Sequence, residues 1–187
     1  MQPLNCKSFA KLNLCLHILD RRKDGYHNLE SIFCIIDFYD TLSFQKNNST
    51  KLNFKTNSNE IDSTYNLVTK AYDVISNLYD IKGVDIFLDK KIPVGSGLGG
   101  GSSNAAVTLL ALNDIFKLNI SKDNLMKISE DIGADVPFFI NGGAAYIGGK
   151  GDIVNNISVD KKYFVLILPN LKISTKDMYA SLSQKTL

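Results

Sequence analysis

The sequence has no tryptophan, only two histidines, His17 and His27, and three cysteines, Cys6, Cys15 and Cys34, with no CxxC spacing. An odd cysteine count without paired spacing argues against a disulfide framework. So few histidines leave no zinc-ligand pattern, and a reduced, cytoplasmic protein is the expectation. Charge is also scarce as a signal: the net value is +2 with no polybasic tract, so nothing marks a nucleic-acid or acidic-surface partner. No apolar run approaches the roughly 20 residues needed to span a bilayer. The segment Met1 to Lys7 lacks the charged and then apolar blocks of a signal peptide, so no membrane partner is expected. What is present is ordinary for a soluble globular protein, 44% hydrophobic and 21% charged over 187 residues. That length suits one domain, or one domain and part of another.

Leu12, Leu14, Leu16 and Ile18 alternate with Lys11, Asn13, Cys15 and His17, the period of a strand with one buried face, so Lys11 and Asn13 share the other. Asp24-Gly25 marks a turn. Ile32 to Ile36, Leu42 to Phe44 and Leu52 to Phe54 read as further strands, which makes the first 55 or so residues antiparallel β-structure. Helical spacing begins at Leu67, Val68, Ala71, Tyr72, Val74, Ile75 and Leu78, behind the possible caps Asp62, Ser63 and Thr64. Val84 to Leu88 reads as a strand, a helix runs to about Phe116, and Ser121 caps another that stops at Gly133. A short strand is expected between the glycines at 142–143 and 148–149, and Tyr163 to Leu168 reads as a fully buried strand. Strands first and helices afterwards predict an α+β fold.

The densest signal is Pro93-Val94-Gly95-Ser96-Gly97-Leu98-Gly99-Gly100-Gly101-Ser102-Ser103, placed directly before the apolar helix that begins Asn104-Ala105-Ala106. Glycines allow positive φ and close backbone approach, while the following helix start offers unpaired N–H groups and a positive dipole end. Phosphate is the anion such a cradle takes. A flexible Gly/Ser linker is the plainer reading, but linkers rarely precede so apolar a helix. Gly95, Gly97 and Gly100 satisfy GxGxxG, yet the acidic residue of a dinucleotide site has no counterpart at the end of a following strand. A Walker A loop needs a lysine before Ser/Thr, and this loop ends Gly101-Ser102-Ser103. The HRD and DFG partners of a protein-kinase loop are absent.

With Pro93, Gly97-Leu98-Gly99 and Ser102-Ser103, the stretch resembles the phosphate-binding motif of the GHMP kinases. The longer form GLGGGSSNAA is similar to the branch that phosphorylates a cytidine-diphosphate-linked methylerythritol in the non-mevalonate isoprenoid pathway. Ala10-Lys11-Leu12-Asn13-Leu14, Asp24-Gly25-Tyr26-His27 and Gly133-Ala134-Asp135-Val136-Pro137 match the same branch in the same order. The resemblance implies a GHMP-kinase N-terminal domain over residues 1–160, a ribosomal-protein-like two-layer α/β sandwich. Residues 161–187 would begin a second α+β domain, truncated at Leu187, since members of the branch are longer. A ribosomal-protein-like fold also admits an RNA-binding module, but the near-neutral charge argues against nucleic acid.

The resemblance also implies roles. Asp135 would accept the proton of the 2-hydroxyl or orient that hydroxyl; on spacing alone it reads equally as a helix N-cap. Lys11 would be its cationic partner, where a lone strand lysine otherwise reads as a solvated charge. Asn13, Tyr26, His27, Thr175 and Tyr179 would hold the substrate, the tyrosines as aromatic walls for the cytosine ring. A surface loop is the plainer reading of Tyr26 and His27. The loop from Pro93 to Ser103 would bind ATP, with Asn66 and Lys90 beside its base; capping and a solvated charge are their alternatives. Mg2+ is expected with ATP, and a serine of the Ser102-Ser103 pair would either ligate it or cap the helix. A monomer or weak homodimer is expected.

Overall fold

The computed structural model describes residues 2–25 and 27–169. Two long strands, β1 (Leu4–Arg21) and β2 (His27–Lys46), pair antiparallel along almost their whole length. The strands expected separately at 32–36 and 42–44 are thus one continuous β2. Its other edge is shared: β4 (Val84–Asp89) pairs antiparallel with residues 41–46, and β5 (Ala144–Gly148) with residues 31–34. β3 (Asn53–Thr56) lies beyond β4, and β6 (Ile153–Ile157), which the sequence reading did not anticipate, lies beyond β5.

β3 and β4 run parallel rather than antiparallel. The reason is the crossover helix α1 (Leu67–Leu78), which returns the chain so that both strands point the same way. α1 buries Val68, Ala71, Tyr72 and Ile75, the stripe expected from their spacing. Helix α2 (Gly100–Ile115) is the centre of the helical layer, touching α1, the β1–β2 hairpin and the short helix α4 (Val136–Asn141). Because α2 has neighbours on most sides, it carries small residues there, with Ala105, Ala106 and Ala111 buried beside Leu109 and Leu112. α3 (Lys122–Glu130) is capped by Ser121, whose Oγ accepts from the Asn124 N–H at 3.3 Å. The main core joins Leu42, Phe44, Ile86 and Leu88 of the sheet to Ile75, Leu109, Leu112 and Phe138 of the helices. A mixed sheet with one helical layer is the α+β architecture expected from the sequence.

Two readings fail locally. Tyr163 to Leu168 forms no strand, and Val165 and Ile167 are 92% and 86% exposed. An apolar run becomes a strand only where a neighbour pairs with it, and none among the described residues does. The apolar face of β1 is also incompletely covered, with Leu14 and Leu16 exposed.

Irregular pairing in the hairpin matters most for the site. Phe9 faces Tyr39 but Ala10 faces Ile36, so β2 carries two unmatched residues, Asp37 and Phe38, opposite a single step of β1. Around that bulge the alternation of β1 breaks, and Ala10 and Lys11 are both buried. A lysine is thereby turned toward the helical layer.

Candidate active site

Lys11 is brought inside by the bulge and pinned at its backbone, where its N–H donates to the Leu98 carbonyl of the glycine loop at 2.9 Å. Its ammonium donates to Asn13 Oδ1 at 2.6 Å, lies 4.3 Å from the Phe33 ring centroid, and is 4.0 Å from Asp135 Oδ2. Burial pulls its pKa below the ordinary lysine value, and the Asp135 carboxylate partly opposes that shift. Asn13 and Lys11 do share a face, as their alternation predicts.

Asp135 precedes α4, with Pro137 in the first helical turn. Its side chain makes no capping hydrogen bond, its backbone is already helical at φ −85° and ψ −9°, and about a third of the side chain is exposed. Capping therefore does not consume the carboxylate. It has a cation nearby and an open side from which a hydroxyl can approach.

The loop has the backbone that an anion cradle requires. Gly95, Gly97 and Gly99 all have φ between 70° and 75°. Gly99 is the N-cap of α2 without any side-chain cap, and the first helical bond is Ser103 N–H to the Gly99 carbonyl at 2.9 Å. The preceding N–H groups at the start of α2 have no helical acceptor and stand at its positive end. Gly99 is also required sterically: a Cβ there would sit 2.8 Å from the Phe139 ring and 3.1 Å from Lys11 Cγ. Loop and lysine thus meet at one glycine.

In front of the loop lies a cleft of about 520 Å³, lined by residues 93–97 and 99–102 and by Ile61, Tyr65, Asn66, Val68 and Lys90. Within the serine pair, Ser102 lines this cleft, whereas Ser103 is buried and bonded to Ser8 Oγ at 2.8 Å. Asn66 caps α1: its Oδ1 accepts from Val68 and Thr69 N–H at 2.8 and 3.1 Å, and Thr69 reciprocates in a capping box. Lys90 is not a solvated charge. Its ammonium is buried 2.9 Å from Asp40 Oδ2 and also bonds the Ile92 carbonyl.

The pattern of the GHMP kinases N terminal domain matches residues 66–143. A protein named 4-diphosphocytidyl-2-C-methyl-D-erythritol kinase from Francisella philomiragia is 44% identical over 179 residues, 95% of this chain and 65% of that protein. One of the same name from Prochlorococcus marinus is 40% identical over 184 residues, 96% of this chain and 59% of its own length. A crystal structure titled 4-(cytidine 5'-diphospho)-2C-methyl-D-erythritol kinase superposes with a TM-score of 0.83 at 32% identity, over 97% of this chain and 65% of that one. The chain carries the GHMP kinases N terminal domain at residues 66–143. A mevalonate kinase from Methanococcus jannaschii, 15% identical with a TM-score of 0.63, shares the fold. The chain spans about 65% of the length of the Francisella philomiragia relative.

In this chain Lys11, Asn13, Asp135 and the glycine loop lie together, and Asn66 and Lys90 border the cleft beyond the loop. His27 stands apart from them, opposite Arg21 near the tip of the β1–β2 hairpin, while Lys11 pairs with Ile35 further down. Tyr26, Thr175 and Tyr179 lie outside the described residues. A second groove of about 730 Å³ runs between residues 34–38 of β2 and residues 157–164, and neither Lys11 nor Asp135 lines it.

The sequence reading passed over Asp40, Ser8 and Asn104, which form a buried polar network behind the loop. One signal for it was available. Asp40 falls in phase with Leu42 and Phe44, all within 1% of full burial, so it is a charge on the apolar face of a strand.

Proposed function

We propose that this chain transfers the γ-phosphoryl group of ATP to the 2-hydroxyl of 4-diphosphocytidyl-2-C-methyl-D-erythritol, the step its named relatives suggest, in the non-mevalonate route to isoprenoid precursors. The observation that carries the reading is the half-open Lys11–Asp135 pair, 4.0 Å apart, set against the glycine loop at Gly99.

Each part then has a task. Backbone N–H groups of the loop and of the first turn of α2 hold the nucleotide phosphates. Asp135 takes the proton of the acceptor hydroxyl as its oxygen bonds to the γ-phosphorus and the bond to the β–γ bridging oxygen breaks, releasing ADP. Lys11, already partly stripped of water, stabilises the charge on the transferring group. Asn13 fixes the lysine and faces the substrate side. Tyr26 and His27, with Thr175 and Tyr179, hold the cytidine end, and Asn66 and Lys90 flank the base of ATP.

Mg2+ bound with the nucleotide would neutralise phosphate charge as the γ-phosphoryl group is transferred. Among the described residues no group of three or more His, Cys, Asp or Glu stands ready for a metal. The fit is to an ion held mainly by phosphate, with the Ser102 hydroxyl as the protein contact on the cleft side. Residues 1–160 act as the N-terminal domain of the kinase and residues 161–187 as the start of the next. The protein works in the cytoplasm as a monomer or weak homodimer, consistent with three free cysteines. Among the described residues no helix is long and apolar enough to cross a membrane.

The test is ADP release by the purified chain with the diphosphocytidyl substrate, set against mevalonate and homoserine. Release with the first alone is expected. Release with mevalonate and none with the cytidine compound contradicts the assignment.

A further inference from the structure

Among the described residues the most deeply buried charge is Asp40, at 0% exposure, and the phosphoryl-transfer scheme gives it no task. Its carboxylate accepts four hydrogen bonds. Oδ1 takes the backbone N–H groups of Lys91 and Ile92 at 2.7 and 2.8 Å; Oδ2 takes Lys90 Nζ and Asn104 Nδ2, both at 2.9 Å. The chain of bonds continues from Asn104 Nδ2 to Ser8 Oγ and from Ser8 Oγ to Ser103 Oγ, each 2.8 Å. No buried side-chain nitrogen or oxygen among the described residues lacks a partner.

The four donors fall on opposite ends of the glycine loop. Lys90, Lys91 and Ile92 lead into it, while the linked Ser103 and Asn104, the fourth and fifth residues of α2, lie where the chain leaves it. One carboxylate therefore ties entrance and exit to a single point of β2. The packing is built around this: a Cβ at Gly100 would lie 3.0 Å from Lys90 Nζ and 2.9 Å from Ile92 Cγ2. We propose that Asp40 is a positioning residue of the phosphate cradle, acting through Lys90–Ile92 and Asn104 to hold the two ends of the loop at the spacing nucleotide phosphates need. The proposal rests on the reading of residues 93–103 as a phosphate site.

Stability alone does not account for this arrangement. A buried ion pair is commonly replaced by apolar residues at no net cost, so what a four-donor carboxylate adds is geometry. Two of its donors are consecutive backbone N–H groups, and no apolar side chain can hold them in place.

The experiment compares ADP with adenosine as ligands of the full chain, by calorimetry at a temperature where circular dichroism shows the variant folded. With Asp40→Asn, ADP binding is expected to weaken at least about tenfold while adenosine binding stays within about twofold, the loss of one charge-assisted bond set confined to the phosphates. Without ligand, amide exchange over residues 91–103 is expected to quicken about tenfold while α3 keeps its protection. A folded Asp40→Asn protein with the wild-type ratio of ADP to adenosine affinity overturns the proposal and leaves the phosphate site standing. A wild-type chain that binds both ligands alike overturns the phosphate reading and the proposal with it. Should Asp40→Asn not fold, Asn104→Ala decides in its place. It removes the Asp40 bond at the α2 end of the loop, and a wild-type ratio there overturns the proposal while a selective loss for ADP supports it.

Discussion

Two lysines are buried beside the glycine loop, each facing one carboxylate, and the two pairs are built for opposite ends. Lys90 and Asp40 are 2.9 Å apart, the carboxylate is wholly buried, and four donors fill it. Lys11 and Asp135 are 4.0 Å apart, with the aspartate a third exposed and making no capping bond. The filled Asp40 carboxylate has nothing left to offer a ligand, and its value lies in fixing the backbone around it. An unsatisfied pair is held apart by the fold and completed by what binds between or beside its members. Burial is shared by both lysines; what separates the pairs is the openness of the Asp135 carboxylate, on which its proposed catalytic role rests.

The largest effect that would break this distinction is on turnover. Asp135→Asn is expected to slow phosphoryl transfer by about 10²–10⁴ while leaving ADP affinity within a few-fold, measured as ADP release and by calorimetry. Stability should rank the other way. Asp40→Asn strands the Lys90 ammonium in the interior and is expected to cost about 3–5 kcal/mol by urea unfolding, whereas Asp135→Asn changes stability by about 1 kcal/mol or less. If the two variants lose similar stability, the contrast between the pairs collapses.

A pH series sharpens it further. Burial lowers the pKa of Lys11 and of Lys90 in the folded chain, so above those folded-state values the unfolded chain binds more protons. Stability therefore rises with pH through the window that ends near the ordinary lysine value of 10.5. Lys11→Met removes its share of that rise, visible as a shallower slope of urea midpoint against pH, and abolishes turnover. The smallest expected effect concerns the cleft wall: Asn66→Ala should cost about 1 kcal/mol through loss of the capping box, read as a drop in melting temperature.

Much of this was legible in the sequence for reasons that are local. The glycine loop announces itself because positive φ at Gly95, Gly97 and Gly99 is a property of single residues. α1 and α3 follow from periodicity that acts over three or four positions, and α3 from its Ser121 cap, whereas α1 is capped by Asn66 and not by Asp62, Ser63 or Thr64. What could not be read is set by partners distant in the chain. The bulge opposite Phe9 and Ala10 depends on how β2 is pinned by β4 at one end and β5 at the other, and only that bulge turns Lys11 inward. The same holds for Tyr163 to Leu168, where an apolar run without a pairing strand stays exposed. Asp40 lies between these cases. Its strand phase marks it as buried, but its four donors come from segments some 50 to 64 residues away.

The most direct measurement is single-turnover transfer from saturating ATP to the diphosphocytidyl substrate, run side by side on wild type and Asp135→Asn with melting temperature and ADP affinity recorded for each. The account predicts that Asp135→Asn keeps the melting temperature and the ADP affinity and loses nearly all transfer. Transfer by Asp135→Asn at the wild-type rate would contradict it, because the open carboxylate beside Lys11 would then have no part in the chemistry.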